Sequence, residues 1–149
     1  MEIRKASLKD IPSLLEIESY SFTSDLWNEE MLTYELTKNN TSIFYVGVID
    51  NEMVGYINVW NQFDTSSICQ IATKKEYRNK GIAIELYNFV EKILKELNIE
   101  YVTLEVRKSN VAAIKLYEKL GFKYICDKVG YYKDGEDALY YVKEILWSF

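Results

Sequence analysis

CQIATKKEYRNKGIAIELY, residues 69–87, changes its period part-way along. Its first five residues close a β-rich run, 66–73, whereas Ile82, Leu86, Phe89, Val90, Ile93, Leu94 and Leu97 recur at helical spacing from Gly81 onward. The join is Arg78, Asn79, Lys80, Gly81, Ile82, Ala83 and Ile84. A helix starting there exposes its first N–H groups, which carry partial positive charge and suit a phosphate. Gly81 and Ala83 are small enough for a pyrophosphate to approach the backbone, and Arg78 and Lys80 add charge. Spelling narrows the ligand. GxGxxG is absent, and Gly130 and Gly135, at Walker A spacing, are followed by Glu136 and Asp137.

Outward from this join, the chain reads as alternating strands and helices. Residues 2–6 alternate like a short strand. Ser7 stands three residues before Asp10, a capping-box-like start for a helix carrying Ile11, Leu14, Leu15 and Ile17, with Pro12 tolerated in its first turn. A second helix starts near Asn28 and carries Met31, Leu32, Tyr34 and Leu36. Runs 42–49 and 53–60 flank Asp50-Asn51-Glu52, which is hairpin chemistry, and a polar stretch, NQFDTS, precedes run 66–73. After the long helix come a strand at 101–106 and a helix at 110–120 ended by Gly121. Closing strands at 123–128 and 138–145 then surround a turn containing Gly135. The order β-α-α-β-β-β-α-β-α-β-β predicts an α/β fold with a mixed sheet and helices on its faces. The stretch 66–106 is long enough for a parallel crossover pair, beyond whose carboxyl ends open sheets bind ligands.

Composition bounds the chemistry. At 149 residues, 48% hydrophobic and 28% charged, the chain is expected to be a single globular domain over 1–149. There is no histidine, which excludes Ser-His-Asp and Cys-His nucleophile systems and His-ligated zinc motifs. Acid–base work falls to Asp, Glu, Lys, Tyr, Cys or the substrate, and 13 tyrosines are present. Eighteen Lys and Arg against 23 Asp and Glu give −5, which argues against a nucleic-acid binder. Cys69 and Cys126 lack CxxC spacing and are expected to be buried free thiols. No apolar run reaches membrane-spanning length and the N-terminus lacks an apolar leader core, so a cytoplasmic, non-membrane protein is expected.

R-x-x-G-x-A at 78–83, followed by N-x-x-A-x-x-L-Y-x-x-L-G-F at 110–122, resembles the GNAT superfamily of acyl-CoA-dependent N-acetyltransferases. Within it, LEVRKSN, AIKLYEKLGF and GYYKDGEDALYY are similar to the ribosomal-protein-alanine N-acetyltransferases. The resemblance is strongest over 68–139. It implies the GNAT fold, a mixed and mostly antiparallel sheet with helices on both faces, and acetyl-CoA as co-substrate with no metal. Backbone groups of Ile71, Ala72 and Thr73 would line the pantetheine arm, and one N–H of that strand would hold the oxyanion. The 78–84 turn would hold the pyrophosphate, and Asn110 would contact the cofactor. Lys75 stands where the family often has proline, and Ala83 where it often has a second glycine; Ala83 is still small enough for the approach.

The resemblance also assigns the chemistry. Glu105, on the strand face shared with Tyr101 and Thr103, becomes the general base. The alternative is an exposed glutamate or an ion-pair partner of Arg107. Tyr117 becomes the general acid for the coenzyme A thiolate, or else simply packs with Ile114 and Leu120. Tyr131 and Tyr132 would shape a peptide groove, or be strand-edge aromatics. An α-amine, with a pKa of about 7.7–8.0, is roughly a tenth to a sixth neutral at pH 7, whereas lysine is neutral about four times in ten thousand. A lone carboxylate base therefore suits a protein N-terminus. The acidic balance favours a basic acceptor, and by resemblance this is a ribosomal small-subunit protein beginning with alanine. Rival readings are acetylation of a small amine or a lysine, and a non-catalytic acyl-CoA-binding module.

Overall fold

The computed structural model describes residues 1–22 and 25–146. Its elements are β1 (Glu2–Lys5), α1 (Ile11–Ser21), α2 (Glu29–Thr37), β2 (Ser42–Ile49), β3 (Glu52–Gln62), β4 (Thr65–Thr73), α3 (Ile82–Glu96), β5 (Tyr101–Arg107), α4 (Val111–Lys119), β6 (Lys123–Lys128) and β7 (Ala138–Glu144). Short 3₁₀ turns, Leu8–Asp10 and Lys75–Tyr77, lead into α1 and follow β4. Among the described residues the strands form one seven-stranded sheet in the order β1-β2-β3-β4-β5-β7-β6. All its pairs are antiparallel except β4–β5, the crossover spanned by α3. The mixed, mostly antiparallel α/β architecture expected from the sequence is therefore present.

Local chemistry explains the elements. Asp50 and Asn51 both take positive φ, the two-residue turn that matches strand twist, and Ile49 faces Glu52 across it. The polar stretch after β3 is a second tight hairpin: β3 runs on to Gln62, β4 starts at Thr65, and Phe63 takes φ 55° at the tip. Asp10 reaches back to accept the Ser7 N–H at 2.8 Å, and Arg4 grips both of its oxygens at 2.8 Å. Burial alone would push the Asp10 carboxyl up. Arg4 and the Ser7 N–H outweigh that and hold it below its ordinary value. Its contribution is thus present above about pH 4, where an unfolded aspartate ionises, and is lost as pH falls through the lower folded value. Asp10→Asn is expected to cost about 2 kcal/mol at pH 7. In urea denaturation that deficit should shrink as pH falls through the lowered folded value of Asp10.

Two apolar layers flank the sheet. On one face α3 and α4 bury Leu86, Tyr87, Val90, Leu94, Tyr117 and Leu120 against Ile57, Val59, Val102, Leu104 and Val106. Gly55 lies under α3, where an added Cβ would sit 2.9 Å from the Ala72 carbonyl and 3.1 Å from Ile82, so the helix can approach β3 closely. On the other face α1 and α2 bury Ile11, Leu14, Ile17 and Leu32 against Phe44, Val46 and Tyr56. Some sequence expectations fail at the edges. Leu97 lies past the end of α3 and is 54% exposed, and Met31 and Tyr34 point outward from α2. The cysteines are free, but neither is in the core: Cys69 is half-buried and Cys126 exposed on β6, which has a partner strand on one side only.

Candidate active site

The one parallel pair among the described residues is short. Thr65, Ser66 and Ser67 face Tyr101, Val102 and Thr103, and the Ser67 and Thr103 hydroxyls lie 2.9 Å apart at the last register position. Beyond it β4 continues to Thr73 and β5 to Arg107 without pairing to each other, each still laddered to its other neighbour. Cys69 is the extra residue of a bulge in β4, because Asn58 faces Gln70 while Val59 faces Ile68. The two strands therefore diverge, and a cleft of about 1420 Å³ opens between them.

The phase of the β3–β4 ladder decides which backbone groups the gap receives. Lys74 donates its N–H to the Val54 carbonyl at 2.8 Å, so Ala72 and Gln70 also exchange hydrogen bonds with β3. Ile71 and Thr73 direct their N–H and C=O groups the other way, toward the missing partner strand. The Arg78 Nε donates to the Thr73 carbonyl at 3.4 Å from that side. Ala72 lines the cleft too, but its polar backbone is engaged with Tyr56 and its methyl belongs to the core.

At the same opening sits the start of α3. Asn79 and Gly81 both take left-handed backbone, with φ 62° and 81°, and Gly81 has open space where a Cβ would project. The first helical bond runs from the Glu85 N–H to the Gly81 carbonyl at 3.0 Å. The N–H groups of Ile82, Ala83 and Ile84 precede it and belong to the unpaired set at the helix start. Arg78 lies 5.6 Å from the Tyr20 ring centre and lines the cleft, whereas Lys80, 5.3 Å from the Tyr77 ring centre, is not among the cleft-lining residues and faces a separate hollow with Glu16, Glu52 and Glu76. Asn110 caps α4, its Oδ1 accepting the Ala113 N–H at 3.2 Å, and also lines the cleft.

Glu105 and Tyr117 lie on the same cleft wall system. The Glu105 side chain is 22% exposed and accepts from Lys128 Nζ at 2.7 Å. Lys128 reaches it across the face of Tyr140, the β7 residue opposite Glu105, with 4.4 Å from Nζ to the ring centre. The Glu105 hydrogen bond raises the Lys128 ammonium's pKa against the opposing effect of burial. Arg107 is not the Glu105 partner. It bonds Asp25 at 3.1 Å and Asp134 and Glu136 at 2.9 Å, with Tyr132 stacked at 4.0 Å. It thereby joins the segment before α2 to the β6–β7 loop. Tyr131 and Tyr132 meet edge to face at 5.0 Å and both line the cleft. Tyr117 is buried, its ring edge-on to Phe122 at 5.9 Å, and burial, with Tyr132 nearby, pushes its phenol pKa far up.

The structure adds groups that the sequence reading passes over. Glu18 is almost wholly buried and accepts from the Tyr56 hydroxyl, from Gln70 Nε2 at 3.3 Å and from the Trp27 N–H at 2.9 Å. Burial pushes its carboxyl up, in spite of those three donors. Helical spacing carries the signal, since Glu18 is four residues after Leu14 and falls on the apolar stripe of α1. Nothing local signals that Trp27 and Trp60 stack at 6.3 Å, or that Glu35 holds the Trp60 Nε1 at 2.9 Å.

A splayed parallel pair, a free strand edge and a helix start aimed into the gap define an acyltransferase-type cleft. The chain belongs to the acetyltransferase (GNAT) family, whose profile matches residues 11–122, and it is an N-acetyltransferase. A Bacillus subtilis protein provisionally named a [ribosomal protein bS18]-alanine N-acetyltransferase is 36% identical, covering 97% of this chain and 93% of that protein. An N-alpha-acetyltransferase of Saccharolobus solfataricus is 37% identical, covering 91% and 88%. Among solved structures, the ribosomal-protein-S18-alanine N-acetyltransferase of Escherichia coli superposes with a TM-score of 0.86 at 25% identity, covering 99% of this chain and 96% of that one.

Proposed function

We propose that this protein acetylates the N-terminal α-amine of a protein from acetyl-CoA, and that its acceptor is a ribosomal small-subunit protein beginning with alanine. The observation that carries the reading is the split between β4 and β5. It brings Glu105, Tyr117, the free edge of Ile71 and Thr73 and the start of α3 to one cleft. The named acceptors of the Bacillus and Escherichia relatives support the choice of substrate.

The residues present fit acetyl-CoA. The N–H groups at the start of α3, with Arg78, would take its pyrophosphate. The outward N–H and C=O groups of Ile71 and Thr73 would extend the sheet along its pantetheine amides, and an N–H there would stabilise the acetyl carbonyl oxygen as it gains charge. Asn110 lies at the rim of the same space. When bound, acetyl-CoA supplies the activated acetyl thioester. Glu105 takes a proton from the acceptor ammonium, directly or through a water, while Lys128 holds its carboxylate in place. Tyr117 donates its O–H to the departing sulfur. Tyr131 and Tyr132 flank the acceptor's path.

Incubation with acetyl-CoA and a panel of basic peptides tests this reading. Mass spectrometry is expected to place the acetyl group on the α-amine, with alanine favoured as the first residue. Labelling confined to lysine side chains or to small amines would overturn the substrate, and tight acetyl-CoA binding without turnover would overturn the enzyme reading.

A further inference from the structure

We infer that the acceptor end of the cleft contains a side-chain subsite, built on Trp27 and Trp60, that selects a large apolar residue at the second or third position of the acceptor. The inference deepens the N-terminal reading above and rests on it.

Four apolar side chains line this part of the cleft: Leu26, Trp27, Met31 and Trp60. Three of them face outward, Leu26 at 43%, Met31 at 48% and Trp60 at 41% exposure. A cluster of this kind on the wall of a cleft costs solvation unless a ligand covers it. It is also built rather than incidental. The two indoles stack with planes 18° apart; buried Glu35 accepts the Trp60 Nε1–H and fixes that ring, while buried Glu18 accepts the Trp27 backbone N–H and fixes the main chain that carries the other. Holding two indoles this way keeps their exposed surfaces in one place before a ligand arrives.

Register gives the distance. Trp60 faces Ser67, Ser67 faces Thr103, and Glu105 follows two residues along β5 on the same face. Two inter-strand spacings and two residues of rise separate Trp60 from Glu105 by about 12 Å. An extended peptide advances about 3.3–3.6 Å per residue, so an α-amine at Glu105 brings its second or third side chain to the indoles.

The test uses peptides Ala-X-Z on one basic tail, with X and Z varied among Gly, Asp, Lys, Leu and Phe. Leu or Phe at one of the two positions is expected to raise kcat/KM about tenfold or more over Gly. In Trp60→Ala that ratio should fall to about threefold or less, and Leu26→Gln, a change at an exposed position, should lower it in the same direction. Near-UV circular dichroism checks that both variants are folded. A flat profile in the parent protein, or a preference that survives in folded Trp60→Ala, overturns the subsite while leaving N-terminal acetylation standing. If no peptide is acetylated at its N-terminus, the underlying reading falls and the subsite with it.

Discussion

Glu105→Gln is expected to lower kcat by about 10²-fold or more at pH 7, the range over which a positioned general base acts. The substitution keeps the shape of the side chain and removes its basicity. It leaves the α3 start and the Ile71–Thr73 edge untouched, so the KM for acetyl-CoA should stay within about twofold. The deficit should depend on pH in a definite direction. Without a base the variant can use only acceptor that is already neutral, and that fraction rises as pH climbs through the α-amine pKa of about 8. The ratio of parent to variant rates is therefore largest near pH 6 and smallest above pH 8. Rates of the two proteins that coincide across this range would remove Glu105 from the chemistry.

Tyr117→Phe is expected to cost about as much in kcat, roughly 10²-fold, with a different pH signature. The ring still packs edge-on to Phe122 at the parent distance of 5.9 Å, so the melting temperature should change little. Burial pushes the phenol pKa far up, which keeps it protonated throughout the assay range. Complete transfer of its proton to a thiolate of pKa about 8.5 is then uphill. The group works best as an O–H donor that stabilises the departing sulfur. Its loss should lower the rate by a similar factor from pH 6 to pH 9, in contrast to the sloping deficit of Glu105→Gln. A Tyr117→Phe rate equal to the parent's would leave the residue a purely packing role.

How far each residue was legible follows from how local its cause is. The Asp50-Asn51 turn and the helix starts near Gly81 and Asn110 are set by their immediate neighbours, and all are found where the sequence puts them; the positive φ of Gly81 and the cap bond of Asn110 come from the structure. The crossover from β4 to β5 was equally readable from its length and periodicity. Leu97 lies past the end of α3, and Met31 and Tyr34 stand on the expected second helix but face outward, because periodicity marks a stripe without saying where packing stops. The pairing of Glu105 with Lys128 rather than Arg107 depends on β7 lying between β5 and β6, an order that no local pattern encodes.

By itself the sequence determined the elements and the anion-seeking start of α3 and, in the absence of histidine, left acid–base work to Asp, Glu, Lys, Tyr, Cys or the substrate; the choice of Glu105 and Tyr117 is what the family resemblance implies. The elements and that helix start follow from backbone conformation and side-chain chemistry that neighbouring residues already fix. Only the tertiary structure decided that β4 and β5 part after three register positions, that Ile71 and Thr73 rather than Ala72 turn their backbone into the gap, and that Glu18 and Glu35 each brace a tryptophan there. Those outcomes depend on strand register, on a bulge at Cys69 and on contacts between elements distant in the chain, where packing and the pairing of buried polar groups select one arrangement.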